Sequence, residues 1–279
     1  MASTRSSFAF TLHGCVDSWL RRRPAIPDKR LRAVTFPSAD GIRLAGWYGE
    51  PSGTAPSIIL CHGAPGDKRD MAGLAGALMD AGFGVLAFDF RGWGDSGRTR
   101  VTLGYREVQD VLGAVEFVRN GRAGRQHPIG IVGLSMGAAA AILAAAQTPA
   151  IGAVVADSSY ARLDQSVERI TRRVWRPFDF FAGRRARRLG ERLIGAPLAS
   201  VAPVEAIAKI SPRPVLIIHG RQDRLTDVGD AQALYRACGD PKALWIVEQA
   251  GHARTRVAGT EAYDRRVIGF FKEYVAAMT

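Results

Sequence analysis

The chain has 279 residues, of which 47% are hydrophobic, and this size is enough for one large globular domain with a buried core. No apolar run approaches the roughly 20 residues of a membrane-spanning helix, and the weakly apolar N-terminus lacks the order of features in a secretion signal. Three widely spaced cysteines, Cys15, Cys61 and Cys238, argue against a disulfide framework. They predict a cytoplasmic protein, with Cys61 as a small core residue.

The net charge of +12 is concentrated in two segments of the chain. Residues 1–32 contain seven basic and two acidic residues, and residues 162–192 contain ten arginines and four acidic residues. Together they contribute eleven of the twelve net charges, so the rest of the chain is nearly neutral. Because no nucleic-acid-binding motif accompanies these charges, we expect no nucleic-acid partner.

Apolar periodicity divides the chain into strands that alternate with helices. The predicted strands are 31–36, 42–48, 57–61, 84–88, 129–132, 153–156, 214–218 and 243–247. The predicted helices are 68–81, 104–119, 138–147, 227–237 and 260–277. The first two strands, joined by a turn at residues 39–41, form an antiparallel pair. The pattern predicts an α/β fold, with an eight-stranded, mostly parallel sheet and helices on both faces.

Residues 133–137 read Gly-Leu-Ser-Met-Gly, a G-x-S-x-G pattern. A short apolar strand precedes it and an alanine-rich helix follows, which is the strand–turn–helix context that this motif needs. The sharp turn exposes the serine at the N-terminus of the helix, and the two glycines leave room for the crowded backbone. The motif predicts Ser135 as a catalytic nucleophile; the alternative is a tight turn with an idle serine.

A nucleophilic serine needs a base to take its proton and an acid to orient that base. His252 follows the last predicted strand and is the predicted base, and Asp223 follows the penultimate strand and is the predicted acid. Asp157, after the strand that follows the nucleophile, occupies an alternative acid position. We expect it instead to be a turn residue that binds nearby backbone N–H groups. Asp227 is expected to cap the next helix.

The remaining histidines are less suited to act as the base. His62 and His219 directly follow strands and are expected to have structural or hydrogen-bonding roles, whereas His13 and His127 lie away from this edge of the sheet.

Two backbone donors are needed to stabilise a developing oxyanion. We predict the N–H of Met136, directly after the nucleophile, and the N–H of Ala64, in the loop after the first parallel strand.

Four segments of the chain resemble the α/β-hydrolase superfamily, in the order typical of that family. They are residues 62–66, residues 89–96, residues 133–137, and residues 219–223 with 251–252. The resemblance extends over residues 33–278 and implies the nucleophile, base and acid roles given above, with 89–96 as a structural loop. Residues 38–47, Ser-Ala-Asp-Gly-Ile-Arg-Leu-Ala-Gly-Trp, are most similar to small bacterial serine hydrolases, which also resemble serine aminopeptidases and acyl hydrolases.

The two basic segments are predicted to be appendages of the hydrolase domain. Residues 1–30 form an amphipathic extension, and residues 31–279 form the domain, with a lid inserted at about 161–210. The apolar residues of the lid fall in a helical row, Leu163, Val167, Ile170 and Val174, and an aromatic cluster, Trp175, Phe178, Phe180 and Phe181. Such a lid either covers the pocket with its arginines in solvent, or forms a basic surface that contacts anionic membranes or attracts acidic substrates.

The sequence therefore predicts a serine hydrolase that cleaves a small-molecule ester or related acyl substrate, without a metal or organic cofactor. Peptidase or aminopeptidase-like and thioesterase activities use the same residues and stay open. A non-catalytic binding module, or a membrane-surface-associated protein with this fold, is the competing class.

Overall fold

A computed structural model describes residues 26–121, 129–174 and 182–275. These residues form one eight-stranded sheet in the order β1-β2-β4-β3-β5-β6-β7-β8. The strands are β1 (Arg32–Pro37), β2 (Arg43–Gly49), β3 (Ser57–Cys61), β4 (Gly84–Phe88), β5 (Ile129–Leu134), β6 (Ile151–Asp157), β7 (Val215–Gly220) and β8 (Lys242–Val247). β2 is antiparallel to both β1 and β4, and the other neighbours are parallel.

Helices cover both faces of this sheet. The α-helices of the described residues are α1 (Ala72–Asp80), α2 (Glu107–Asn120), α3 (Met136–Ala145), α4 (Leu163–Val174), α5 (Ala182–Ile194), α6 (Pro203–Ala206), α7 (Val228–Ala237), α8 (Thr255–Ala258) and α9 (Thr260–Tyr274). α2, α3 and α7 pack on one face, and α1 and α9 pack on the other. β3 and β4 are buried along their whole length because apolar side chains from both faces enter a core.

The predicted fold class is confirmed, and most element ends agree with the sequence prediction to within three residues. The helix predicted to begin at residue 68 starts as a 3₁₀ turn, Lys68–Met71, whose first N–H groups are capped by Asp67 before α1 begins. Cys61 is fully buried in the core, as predicted. Because the strands from β3 onward are parallel, the loops after β3 to β8 lie at one edge of the sheet, which we call the carboxyl edge.

The segment predicted as a lid connects β6 to β7 and contains α4 and α5. Leu163 at the start of α4, Ile194 at the end of α5 and Leu198 form an apolar cluster that packs on Ala139 of α3. The segment is therefore anchored on the helix that follows Ser135; its role as a lid stays a prediction. Residues 1–25 of the predicted N-terminal extension, which include His13, lie outside the described residues, as do His127 and the aromatic cluster at Trp175, Phe178, Phe180 and Phe181.

No single helix in the described ranges is long and apolar enough to cross a membrane. One bent pair of helical segments, Arg187–Ile194 with Leu198–Ile210, has the length and composition of a membrane span when the two are taken together across their 71° bend. Its largest apolar residues include Ile194, Leu198 and Ile210, which are buried inside the protein.

Candidate active site

Ser135 sits in a strained turn between β5 and α3. Its φ of 53° lies in the left-handed region that non-glycine residues rarely adopt, so the surrounding structure must stabilise this conformation. The Ser135 N–H donates to the Asp157 carbonyl at 2.8 Å, and the Ser135 carbonyl accepts from the N–H groups of Ala138 and Ala139 at 3.0 and 3.1 Å. These three bonds fix the backbone at both ends of the turn.

The two glycines of the motif are required by close packing. A Cβ on Gly133 would lie 2.4 Å from the Gly137 carbonyl oxygen, and a Cβ on Gly137 would lie 2.4 Å from the Cys61 carbonyl oxygen. Neither position leaves room for a side chain. The crowding expected from the sequence is therefore present, and it sets α3 directly against the end of β3.

Three side chains from three loops of the carboxyl edge form a continuous chain of contacts. The Ser135 Oγ lies 2.9 Å from His252 Nε2, and His252 Nδ1 lies 2.7 Å from Asp223 Oδ2. Ser135 and Asp223 are nearly buried, whereas a fifth of the His252 side chain is exposed. The fold thus brings together the three residues that the sequence analysis selected, although 117 positions separate Ser135 from His252.

Asp223 is held by its own turn. Its Oδ1 accepts from the N–H groups of Leu225 and Thr226 at 2.8 and 3.0 Å, and its Oδ2 accepts from the Thr226 hydroxyl at 2.7 Å. Burial alone would raise the pKa of Asp223, but the hydrogen bond and charge of His252 and the donors of the turn outweigh it and lower that pKa. The carboxylate is therefore ionised at neutral pH and favours a proton on His252 Nδ1.

The Thr226 hydroxyl contacts two of the three side chains, Asp223 and His252. Besides donating to Asp223, it lies 3.2 Å from His252 Nδ1, and Thr226 is buried. The sequence analysis did not select Thr226. The sequence feature that could have indicated Thr226 is the Asp-x-x-Thr spacing of residues 223–226, because an aspartate at the first position can bind the backbone of its own turn.

The loop that carries His252 is fixed against the end of β6. The Ala253 N–H donates to the Ser158 Oγ at 3.3 Å, and the Thr255 hydroxyl donates to the Asp157 carboxylate. The sequence analysis selected neither Ser158 nor Thr255, because 95 and 98 positions separate the bonded residues.

The interpretation of Asp157 as a residue that binds nearby backbone N–H groups was wrong. Its carboxylate accepts from the hydroxyls of Ser158, Thr255 and Tyr263. Asp157 is the last residue of β6, where its side chain is fully buried between the strand and the elements that follow His252. Hydroxyls of those elements reach it there, and burial raises its pKa to about 6 in spite of them.

The two predicted oxyanion donors lie beside Ser135. Met136 is the first residue of α3, and Gly63, directly before Ala64, is so close that an added Cβ would lie 3.4 Å from the Ser135 Cβ. Among the residues that the structure describes, no acceptor is found for the N–H of Ala64 or of Met136. The first N–H groups of a helix have no partner within the helix, so they are suited to bind an anion.

The other candidates have the structural roles expected of them. His62 Nδ1 donates to the Gly63 carbonyl at 2.6 Å while its Nε2 accepts from the Phe90 N–H at 3.0 Å. Burial lowers the pKa of both His62 and His219, and the hydrogen bonds that raise it only partly offset this. Asp227 caps α7 by accepting from the Gly229 N–H at 2.8 Å.

The loop at residues 89–96 is held by a buried ion pair. Asp89 accepts from the Lys68 Nζ at 2.6 Å, from the Lys68 N–H at 2.8 Å and from the Asp95 N–H at 2.8 Å. These contacts tie the loop after β4 to the loop after β3. The structural role expected for this segment fits this arrangement.

Known proteins are similar to this chain over most of its length. A model of the alpha/beta hydrolase family matches residues 58–264. The uncharacterized protein YqkD of Bacillus subtilis is 31% identical over 248 residues, 85% of this chain and 78% of that protein. The uncharacterized protein Rv2307c of Mycobacterium tuberculosis is 31% identical over 227 residues, 79% of this chain and 72% of that protein.

One protein of solved structure that is similar to this chain is described as an enzyme. The Pyrococcus furiosus esterase Pf2001 matches this chain with a TM-score of 0.73 and 26% identity, over 88% of this chain and 91% of the esterase.

Proposed function

Because this chain belongs to the alpha/beta hydrolase family, we propose that it is a serine hydrolase that cleaves carboxylic esters through an acyl-enzyme. The observation that carries the proposal is the unbroken contact from the Ser135 Oγ through His252 to Asp223, at 2.9 and 2.7 Å. An idle serine in a tight turn needs neither a histidine at hydrogen-bonding distance nor a buried carboxylate behind that histidine.

In the first half of the reaction, the Ser135 Oγ attacks the acyl carbonyl carbon while His252 Nε2 takes the hydroxyl proton. Asp223 keeps the other proton of the imidazole on Nδ1 and stabilises the imidazolium that forms. His252 then donates its Nε2 proton to the oxygen of the leaving alcohol. The C–O bond breaks and the acyl group stays on Ser135.

The N–H groups of Ala64 and Met136 are proposed to bind the negative oxygen of the tetrahedral intermediate. Their lack of an acceptor in the described structure supports this role, since donors that are already free need no rearrangement when charge develops. In the second half, water attacks the acyl carbon while His252 takes a proton from that water. His252 then donates this proton to the Ser135 Oγ as the bond between the acyl carbon and Oγ breaks. The carboxylic acid is released and the enzyme returns to its initial state.

The esterase activity of Pf2001 supports an ester in preference to an amide. The same steps also cleave thioesters and peptides, which differ in the leaving group that His252 must protonate. Rates with a matched ester, thioester and anilide of one acyl group therefore rank these substrates. We expect the ester to be cleaved fastest.

A fluorophosphonate probe tests the proposed nucleophile directly, because it forms a stable bond with an activated serine. We expect the folded protein to be labelled at Ser135, and Ser135→Ala to abolish both labelling and hydrolysis of p-nitrophenyl esters. Ser159→Ala is the matched control, since Ser159 is also buried but its hydroxyl, among the residues that the structure describes, bonds only the Tyr160 carbonyl. A protein that resists the probe while its unfolding transition is intact would contradict the proposal.

A further inference from the structure

Large apolar side chains are exposed mainly at the carboxyl edge. Within the described ranges there are six such residues, Ile26, Tyr105, Leu189, Leu193, Leu225 and Val257. Five of them, all but Ile26, lie on segments that follow β4, β6, β7 or β8 at this edge. Single exposed apolar residues are ordinary, but their concentration around one site marks an interaction surface.

α5 contributes the largest apolar part of this surface. Gly190 and Ile194 face inward, because Gly190 lies against Leu198 and Ile194 is buried. Leu189 and Leu193, also four residues apart, are 57% and 64% exposed. Neither leucine belongs to a buried apolar cluster of the described residues, so both are available to an external apolar partner.

Exposed arginines accompany the leucines. Arg188 and Arg192 of α5 have no carboxylate partner in the described part of the chain, unlike Arg187, which pairs with Glu191. Arg106, beside Tyr105, and Arg254, two residues after His252, are also exposed without a described carboxylate partner. Within the described ranges, the apolar surface therefore carries four arginines without a carboxylate partner.

The helix, the loops and Ser135 belong to one connected edge. The Arg100 side chain, in the segment after β4, donates to the Arg192 carbonyl of α5 at 3.4 Å. Leu225 lies in the turn that holds Asp223, and Val257 lies in the short helix α8 after His252. We call Tyr105, Leu189, Leu193, Leu225 and Val257, together with Arg106, Arg188, Arg192 and Arg254, the site rim.

We propose that the site rim docks on an anionic lipid surface and so presents the active site to acyl esters carried by that surface. Leucine and valine side chains enter the boundary between headgroups and acyl chains, while the arginines bind the lipid phosphates. A nucleic acid would use the arginines but would leave the exposed leucines in water, so the mixed surface favours lipid. The substrate class rests on the proposed function above; the docking itself does not.

Vesicle sedimentation at low salt tests the docking. The full chain carrying Ser135→Ala, which leaves the lipids intact, is mixed with vesicles of phosphatidylglycerol and phosphatidylcholine in equal parts, or of phosphatidylcholine alone. We expect binding to the anionic vesicles and at least about tenfold weaker binding to the neutral ones, since the arginines of the site rim are attracted to an anionic surface and not to a neutral one.

Two double substitutions then locate the surface. Leu189→Ser with Leu193→Ser removes apolar area, and Arg188→Gln with Arg192→Gln removes two charges. We expect each pair to weaken binding about tenfold. The matched control is Arg119→Gln with Arg236→Gln, which also removes two exposed charges but at the C-terminal ends of α2 and α7, on the opposite edge. It should change binding less than about threefold, by the distance dependence of screened charges.

Two outcomes would overturn the proposal: no binding to anionic vesicles, or equal losses in the rim pairs and the control pair. Unfolding transitions of every variant are compared by circular dichroism, and the two rim pairs differ chemically, so that a folding defect in one leaves the other informative. Hydrolysis of soluble p-nitrophenyl acetate, measured with Ser135 restored, separates the two hypotheses. If that hydrolysis fails while vesicle binding persists, the proposed function is wrong and the docking surface stands.

Discussion

The end of β6 and the turn after β7 each place a buried aspartate beside the His252 loop, yet the two carboxylates have opposite pKa shifts. Burial raises the pKa of Asp157 to about 6, since its partners are three neutral hydroxyls. Burial acts on Asp223 in the same direction, but His252 and the backbone donors of its turn bring its pKa below the ordinary value. The position of Asp157 at the end of a strand is therefore not enough to make it a second acid partner of His252.

This difference in pKa indicates two separate roles for Asp223 and Asp157 at the carboxyl edge of the sheet. In the proposed mechanism Asp223, whose Oδ2 contacts His252 Nδ1, orients the imidazole, whereas Asp157 anchors the loop that carries His252 through Thr255. Substitutions of these aspartates and of the hydroxyls that bond them test whether the two roles are separate.

The largest effect is expected from Asp223→Asn. The amide keeps the size of the side chain but no longer favours the Nδ1–H tautomer of His252, so we expect kcat to fall by about 10⁴. Asp157→Asn is the matched control and should reduce kcat less than about tenfold, since Asp157 makes no hydrogen bond to the imidazole. Steady-state hydrolysis of a p-nitrophenyl ester by both variants measures this, and equal losses would contradict the division.

A second prediction concerns the pH dependence of stability. The pKa of Asp157 rises on folding from 3.8 to about 6, so its contribution to stability is complete below pH 3.8 and is lost as the pH rises through 6. The loss amounts to about 3 kcal/mol. In Asp157→Asn this loss should be absent, so the wild type falls relative to the variant between pH 4 and pH 7. Urea unfolding at several pH values measures the difference, and parallel profiles would reject it.

Thr226→Val should have a smaller effect on activity. Valine keeps the shape of the side chain but removes the hydroxyl that bonds Asp223 and approaches His252, so we expect kcat/KM to fall about tenfold. Thr226→Ser, which keeps a hydroxyl, should recover most of this loss. In an Asp223→Asn background the valine substitution should have less effect, because the partner of the hydroxyl is already altered. An undiminished effect there would assign Thr226 a purely structural role.

The smallest effect is expected from Ser158→Ala. This change removes the hydroxyl that donates to Asp157 at 2.9 Å and accepts from the Ala253 N–H at 3.3 Å. We expect the free energy of unfolding to fall by about 1 kcal/mol. Thermal unfolding of this variant beside Ser159→Ala measures it, and a larger fall in the Ser159 variant would contradict the proposed anchor.

The accuracy of the sequence prediction differs between the backbone and the polar contacts. Strand and helix positions were predictable because buried parallel strands are continuous apolar runs, and because the helices between them repeat their apolar residues every three or four positions. The turn around Ser135 was predictable because its cause is local. The glycines at 133 and 137 are needed where the backbone of these five residues packs closely. The bonding of Asp157 was not predictable, because its hydroxyl donors at Thr255 and Tyr263 are about a hundred positions away.

The sequence by itself determined the fold class and a short set of candidates for the site, Ser135, Asp223 and His252, because motif, chain order and strand ends are local properties. Only the tertiary structure decided which carboxylate contacts His252, which hydroxyls hold the two turns, and where the exposed leucines and arginines meet. Those contacts depend on distances between loops that are far apart in the chain. Such distances exist only once the sheet has brought its carboxyl ends to one edge.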